Sequence, residues 1–331
     1  MCRKGRCLRL AMLNADTSTP NVYANMGTFG DILHRVLAEA AWRIDEDLKI
    51  DYAVFDVVKS EYPGSLLDFD VILITASAAS SYHQEPWIQN LEQYIVKLYR
   101  DHADIKIFGS CFGHHIISQA LLKDQGLRVE KSPKGWEIGI SQVALTDEFR
   151  KAYAASIEGN LVSGFDPYTG RLPSPDDDSN DARCACFRNR VTSFEIPQTV
   201  RLQFVHEDQV VMPYKSTSLS SPWVLLGSTE HCAVQGVYLP GRVLTLQGHF
   251  EFDKFESGQT ERIFGADGGS VEENTTACSR RDGTKTDEMD DGYLVAEMVV
   301  RFFCEAGGQD GMRNFEQQET LPTPRTSIEM S

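Results

Sequence analysis

The chain has 331 residues, 41% of them hydrophobic, which is enough for one large domain or two small ones with a sizeable core. Its 48 acidic side chains against 32 basic ones leave a formal charge of −16 with no visible basic patch, which argues against nucleic acid or an anionic membrane as a partner. No run approaches the roughly 18 apolar residues of a membrane span, and the six-residue apolar strand near the N-terminus is too short for a secretory signal core. The protein is therefore expected in the reducing cytoplasm, with Cys2, Cys7, Cys111, Cys184, Cys186, Cys232, Cys278 and Cys304 mostly free.

Leu8 to Leu13 reads as a first strand, and Asn14 to Asn25, rich in Thr, Pro and Asn, as a loop. Apolar residues at 29, 32, 33, 36, 37, 40 and 41 recur at helical spacing and predict a helix over about Phe29 to Arg43. Asp51 to Val58 is a second strand, and Asp70 to Thr75 is a short continuous apolar run, as a parallel strand covered on both faces requires. Glu85 to Tyr99 follows as a helix with Pro86 in its first turn, where the missing N–H costs nothing. Ile105 to Phe108 is a strand that feeds Gly109-Ser110-Cys111-Phe112-Gly113-His114-His115 and then an apolar-rich helix through Leu122. Far down the chain, the apolar strand from Val243 runs into Gly248-His249-Phe250-Glu251-Phe252. A last helix, Tyr293 to Phe303, carries Leu294, Val295, Met298, Val299 and Phe302 as a core-facing stripe. Strand and helix alternate, so the expected fold is α/β: a doubly wound, mostly parallel sheet with helices on both faces. Two segments rich in Pro, Gly and carboxylates, about 160–190 and 265–291, read as exposed insertions in a single domain spanning 1–306, and 307–331 as an unstructured tail.

The Gly-x-Cys-x-Gly turn is where chemistry concentrates. A side chain at a sharp strand-to-helix corner points outward, and flanking glycines leave room for a substrate to approach. A helix beginning just after Cys111 brings unpaired N–H groups and the positive end of its dipole to the sulfur, which favours the thiolate. The N–H of Phe112 is an oxyanion donor in the same turn. The bland alternative is a buried cysteine between two turn glycines. A cysteine nucleophile needs a base, and the base an orienting carboxylate; His249 and Glu251, two apart in extended chain, can share one face.

With both stretches in hand, the chain resembles class I glutamine amidotransferases, in particular stand-alone members similar to the glutaminase domain of GMP synthetase and to γ-glutamyl peptidases. Three further blocks agree in order: Ile74-Thr75-Ala76-Ser77 with Glu85-Pro86-Trp87-Ile88 behind it, Lys134-Gly135-Trp136-Glu137-Ile138-Gly139, and His206-Glu207-Asp208-Gln209-Val210 with Pro213 following. The resemblance implies a flavodoxin-like fold and a catalytic set of Cys111, His249 and Glu251. It implies oxyanion and substrate contacts from Phe112, Ala76, Ser77, His115, His206 and Asp208. Departures surround that set: Ala76 stands where relatives usually have glycine, His115 where they have glutamine, and Phe250 where they have proline. Alanine keeps the N–H but resists positive φ.

The implied reaction is hydrolysis of a γ-glutamyl amide, either glutamine or a γ-glutamyl conjugate, through a thioester on Cys111. No cofactor is expected, because no Gly-x-x-x-x-Gly-Lys loop or other synthetase segment is present, and no metal, because His114, His115, Cys184 and Cys186 lack ligand spacing. The expected partner is a small-molecule amide substrate, with an ammonia-accepting synthetase in a second reading. Two alternatives stay open: a repurposed Cys-His-Glu enzyme performing acyl transfer or bond cleavage in a specialised biosynthetic pathway, and a non-catalytic interaction scaffold.

Overall fold

A computed structural model describes residues 6–16, 24, 27–162, 194–213, 216–252 and 290–305. The expected tail and nearly all of the two expected insertions lie outside these residues. Within them the order is β1 (Arg6–Asn14), α1 (Phe29–Ile44), β2 (Leu48–Asp56), β3 (Val71–Ile74), α2 (Pro86–Asp101), β4 (Lys106–Ser110) and α3 (Phe112–Leu122). Then come β5 (Arg128–Lys131), β6 (Glu137–Leu145), α4 (Asp147–Val162), β7 (Thr199–His206) and β8 (Asp208–Val211). The last elements are β9 (Val224–Leu225), β10 (Gly227–Ser228), β11 (Val237–Leu239), β12 (Val243–Leu246) and α5 (Gly292–Phe303). Among the described residues no helix is long and apolar enough to cross a membrane.

The main sheet has seven strands in the order β2-β1-β3-β4-β12-β11-β9. From β2 to β12 every pair is parallel, and β11 and β9 add an antiparallel edge. Strand periodicity sorts its side chains between two cores. Leu8, Leu10 and Met12 of β1, Val71 and Leu73 of β3, and Phe108 of β4 join the core under α1 and α5. Ala11 and Leu13, Ile72 and Ile74, and Ile107 join the opposite core under α2 and α3. The sheet is therefore wound on both faces, as the sequence predicts.

Local chemistry sets the helix ends. Thr28 and Asp31 form a reciprocal capping box at the start of α1, and Pro86 occupies the first turn of α2. The α5 stripe buries Val295, Met298, Val299 and Phe302, each contributing about 1.5–3 kcal/mol of burial. Two structural features go beyond the sequence expectation. The helix α4 reaches Val162, overlapping the first residues assigned to the 160–190 insertion. A second sheet, β10-β6-β7, and a β5-β8 pair stand beside the main one, both antiparallel.

The contact that positions the site lies between α3 and the strand ends. A Cβ on Gly113 would stand 2.3 Å from the Ile74 carbonyl oxygen, and one on Gly109 would stand 2.5 Å from the Gly113 backbone. Glycine at 113 therefore allows α3 to touch the last residue of β3. Gly→Ala inside a helix ordinarily stabilises by about 1 kcal/mol. Here Gly113→Ala should instead destabilise by about 1–3 kcal/mol through overpacking against backbone. Thermal unfolding checks the sign, and a raised melting temperature would contradict the contact.

Candidate active site

Cys111 sits between β4 and α3 with φ 51° and ψ −104°, one of two non-glycine residues at positive φ among those described. This strained corner turns the side chain away from the sheet. Two hydrogen bonds pin it: the Cys111 N–H donates to the Leu246 carbonyl at 2.8 Å, and its own carbonyl accepts from the His115 N–H at 3.1 Å. The sulfur's residue is 7% exposed, so it is enclosed but reachable. It lies at the start of the 11-residue α3, whose first N–H groups, Phe112 included, have no partner within the helix.

The second stretch arrives through β12, paired with β4 in the register Thr245 to Gly109 and Leu246 to Ser110. Regular strand ends at Leu246, earlier than the sequence suggests. His249 is held instead by a two-way backbone bridge to Gln203 of β7, at 2.8 and 3.2 Å. Gly248 permits this approach, since a Cβ there would lie 2.8 Å from both Leu202 and Phe204. The His249 segment is thus clamped between the main sheet and the second sheet.

His249 Nδ1–H donates to Glu251 Oε1 at 2.8 Å, with both residues buried. Among the described residues Nε2 of His249 has no hydrogen-bond partner of ordinary geometry, and Cys111 lies close enough to interact with the imidazole. Burial alone would lower the imidazole's affinity for a proton. The Glu251 carboxylate and Cys111 outweigh it and raise the pKa from 6.5 to about 10. Phe252 stacks on the ring at 4.0 Å and 8°, a geometry that also suits a cation.

Glu251 is satisfied from three directions. Its Oε1 also accepts from Ser110 Oγ–H at 3.1 Å, and its Oε2 accepts from the Phe250 N–H at 3.0 Å. A proline at 250, which the resemblance would place there, has no N–H to give for the last bond. Ser110 escaped the sequence reading; its place in the Gly-x-Cys-x-Gly turn was the available signal.

The remaining candidates divide. Ala76, 7% exposed, follows β3 beside the α3 start, and its φ is not positive, so alanine suffers no left-handed strain there. Ser77 Oγ–H donates to Asp16 at 3.4 Å, and the Ala78 N–H donates to the same carboxylate at 2.8 Å. His115 is buried, and its Nε2 faces Gln247 Oε1 at 2.6 Å. Burial, then neighbouring His206, pushes His115 down to about 4. His206 is also buried, with Nδ1 2.8 Å from the Asp208 carbonyl oxygen and Nε2 3.0 Å from Glu137 Oε2. Glu137 further accepts from Thr229 Oγ1 at 2.8 Å and Gln235 Nε2 at 2.9 Å. Two of the sequence blocks, around Glu137 and His206, thus meet in one polar network next to the site. The Asp208 side chain accepts from Tyr82 Oη at 2.9 Å.

No family model matches the chain. It is 26% identical over 247 residues to a glutamine amidotransferase-like protein of Schizosaccharomyces pombe, covering 73% of this chain and 79% of that one. It is 22% identical over 204 residues to gamma-glutamyl peptidase 3 of Arabidopsis thaliana, covering 61% of this chain and 63% of that one. A crystal structure of a glutamine amidotransferase from Thermotoga maritima superposes with a TM-score of 0.50 at 14% identity, over 89% of this chain and 98% of that one, a likeness of fold.

Because the folded-state imidazole of His249 is held above its unfolded value of 6.5, folding takes up a proton between that value and about 10. The stability contributed by the pair is full below about 6.5 and is lost as pH rises through about 10. The wild-type melting temperature should therefore fall more steeply over this range than that of Glu251→Gln, which lacks the carboxylate. Parallel curves from calorimetry would contradict the pairing.

Proposed function

We infer that this glutamine amidotransferase-like protein is an enzyme that hydrolyses a γ-glutamyl amide, with Cys111 as nucleophile, His249 as base and Glu251 as its orienting carboxylate. The observation that carries this reading is the juxtaposition, across the β4–β12 pair, of a strained cysteine corner with a buried His–carboxylate bond of 2.8 Å. The curated relatives are named for glutamine amidotransferase and gamma-glutamyl peptidase roles and support a related hydrolase or amidotransferase activity.

In the proposed reaction, the Cys111 thiolate attacks the side-chain amide carbonyl. The N–H of Phe112, joined by one from the Ala76 region, holds the oxyanion that forms. As the tetrahedral adduct collapses, its C–N bond breaks and protonated His249 gives its proton to the leaving amine. Neutral His249 next takes a proton from water, which attacks the thioester; the C–S bond breaks, and free glutamate and the resting cysteine return. A pKa of about 10 places the resting base in its imidazolium form at neutral pH, ready to deliver a proton to the leaving amine.

His115 bears on how substrate is held. Relatives have glutamine at that position to help hold the substrate glutamine, whereas His115 here is committed to Gln247. Free glutamine and γ-glutamyl conjugates share the γ-glutamyl moiety, so that substitution does not choose between them; the similarity to gamma-glutamyl peptidase 3 favours the conjugates.

The test is mass-spectrometric detection of glutamate released from glutamine and from γ-glutamyl peptides or thiol conjugates. Release from conjugates is expected to exceed release from glutamine. Cys111→Ala should lower it by about 10³-fold or more, as for nucleophiles that act as part of a unit. Undiminished release by Cys111→Ala would overturn the mechanism, and release from glutamine alone would redirect the search to an ammonia-accepting synthetase.

A further inference from the structure

Gln247 is a fully buried polar residue, 0% exposed, two positions before His249. Its main chain is fixed, because its N–H donates to the Gln235 carbonyl at 3.0 Å. The side-chain amide has two unlike ends, and the fold uses each once. Oε1 faces His115 Nε2 at 2.6 Å, and Nε2–H is directed at Cys111 Sγ at 3.6 Å. A donor is required at His115 Nε2, since an amide oxygen only accepts. His115 is neutral at physiological pH, so its single ring proton sits on Nε2 when that atom donates. That proton decides which way the Gln247 amide faces. Turned over, the amide would lay its oxygen against the sulfur and favour the thiol.

We propose that Gln247 is a positioning residue for the nucleophile: His115 orients its amide so that an N–H is aimed at Cys111 Sγ and holds the sulfur as thiolate. The proposal rests on the nucleophile role inferred above for Cys111 and extends it to a second shell of two residues. It gives His115 a task within the protein, orienting Gln247, in place of a direct grip on substrate. It also joins the site to its polar surroundings, since Gln235, which anchors the Gln247 backbone, itself donates to Glu137. An amide N–H places partial positive charge at the sulfur without bringing a titrating proton of its own. The thiolate can thus be favoured without adding a second proton carrier beside His249.

The experiment follows alkylation of Cys111 by iodoacetamide across pH in the native full-length protein, with the Cys111 peptide quantified by mass spectrometry. No substrate is needed, so the readout is independent of which amide the enzyme cleaves. Gln247→Leu is expected to move the midpoint of alkylation upward by about half to one pH unit, the effect of losing one donor to the charged form. His115→Leu should move it in the same direction, and His115→Gln, which retains an N–H at the same reach, should restore it. Melting curves recorded alongside separate loss of folding from loss of the donor; if Gln247→Leu does not fold, the two His115 variants decide. An unmoved or lowered midpoint in folded Gln247→Leu, or identical midpoints for His115→Leu and His115→Gln, overturns the proposal and leaves the Cys111 nucleophile standing. A wild-type Cys111 that titrates as an ordinary thiol overturns both.

Discussion

The site depends first on how tightly α3 is drawn against the ends of β3 and β4. Only glycine at 109 and 113 lets the helix backbone at Gly113 come into contact with Gly109 and the Ile74 carbonyl. That approach forces the chain through a sharp corner, and Cys111 takes the strained conformation at its apex. Such a conformation costs on the order of 1–3 kcal/mol and persists only where its surroundings over-determine it. Here the surroundings are Phe112, Ile116 and Ile117 on one side, all buried, and the Leu246 carbonyl on the other. The same contact sets the loop after β3, with Ala76, beside the N-terminus of α3. The proposed nucleophile and the proposed oxyanion donors are thus arranged by one backbone event.

A buried carboxylate is the second constraint. Glu251 is 4% exposed, and an unpartnered charge at such a depth would be neutralised or would unfold its surroundings. Its oxygens are met by His249, Ser110 and the Phe250 N–H, so the carboxyl group is satisfied at this depth and one oxygen is directed at the imidazole. Residue 250 also packs its ring edge-on to Phe108 at 6.0 Å, and the α5 start presses on its carbonyl, where a Cβ on Gly292 would lie 2.7 Å away. Phenylalanine at 250 therefore supplies both a donor and a core contact. The second sheet supplies the other half of the clamp through Gln203. Its β6 and β7 are a part of the site's support although they carry none of the three central residues.

How much of this was legible in the sequence follows from the range of the forces involved. The strands and helices from β1 to α3, and α5, announced themselves because their apolar spacing is a local property and their caps and prolines are local too. Cys111, His249 and Glu251 were legible because the turn and the His-x-Glu pair are short motifs. The second sheet was not, since β6 gains its place by pairing with β7 and β10, each more than fifty residues later. Nor were Ser110 and Gln247, each of which acquires meaning from a partner over a hundred residues away. The reach of the strand at 243 was overestimated for a related reason: beyond Leu246 it is the bridge to Gln203, not ladder pairing with β4, that keeps the chain in place.

The central claim is that Cys111 becomes acylated during turnover, and its most direct test is to catch the acyl group. Acid-quenching the protein while it turns over a γ-glutamyl conjugate, then digesting it and mapping adducts by mass spectrometry, should find a glutamyl group on the Cys111 peptide. The adduct should be absent before substrate is added and should disappear once substrate is exhausted. Turnover with Cys111 never modified, or a glutamyl adduct confined to another residue, would contradict the account.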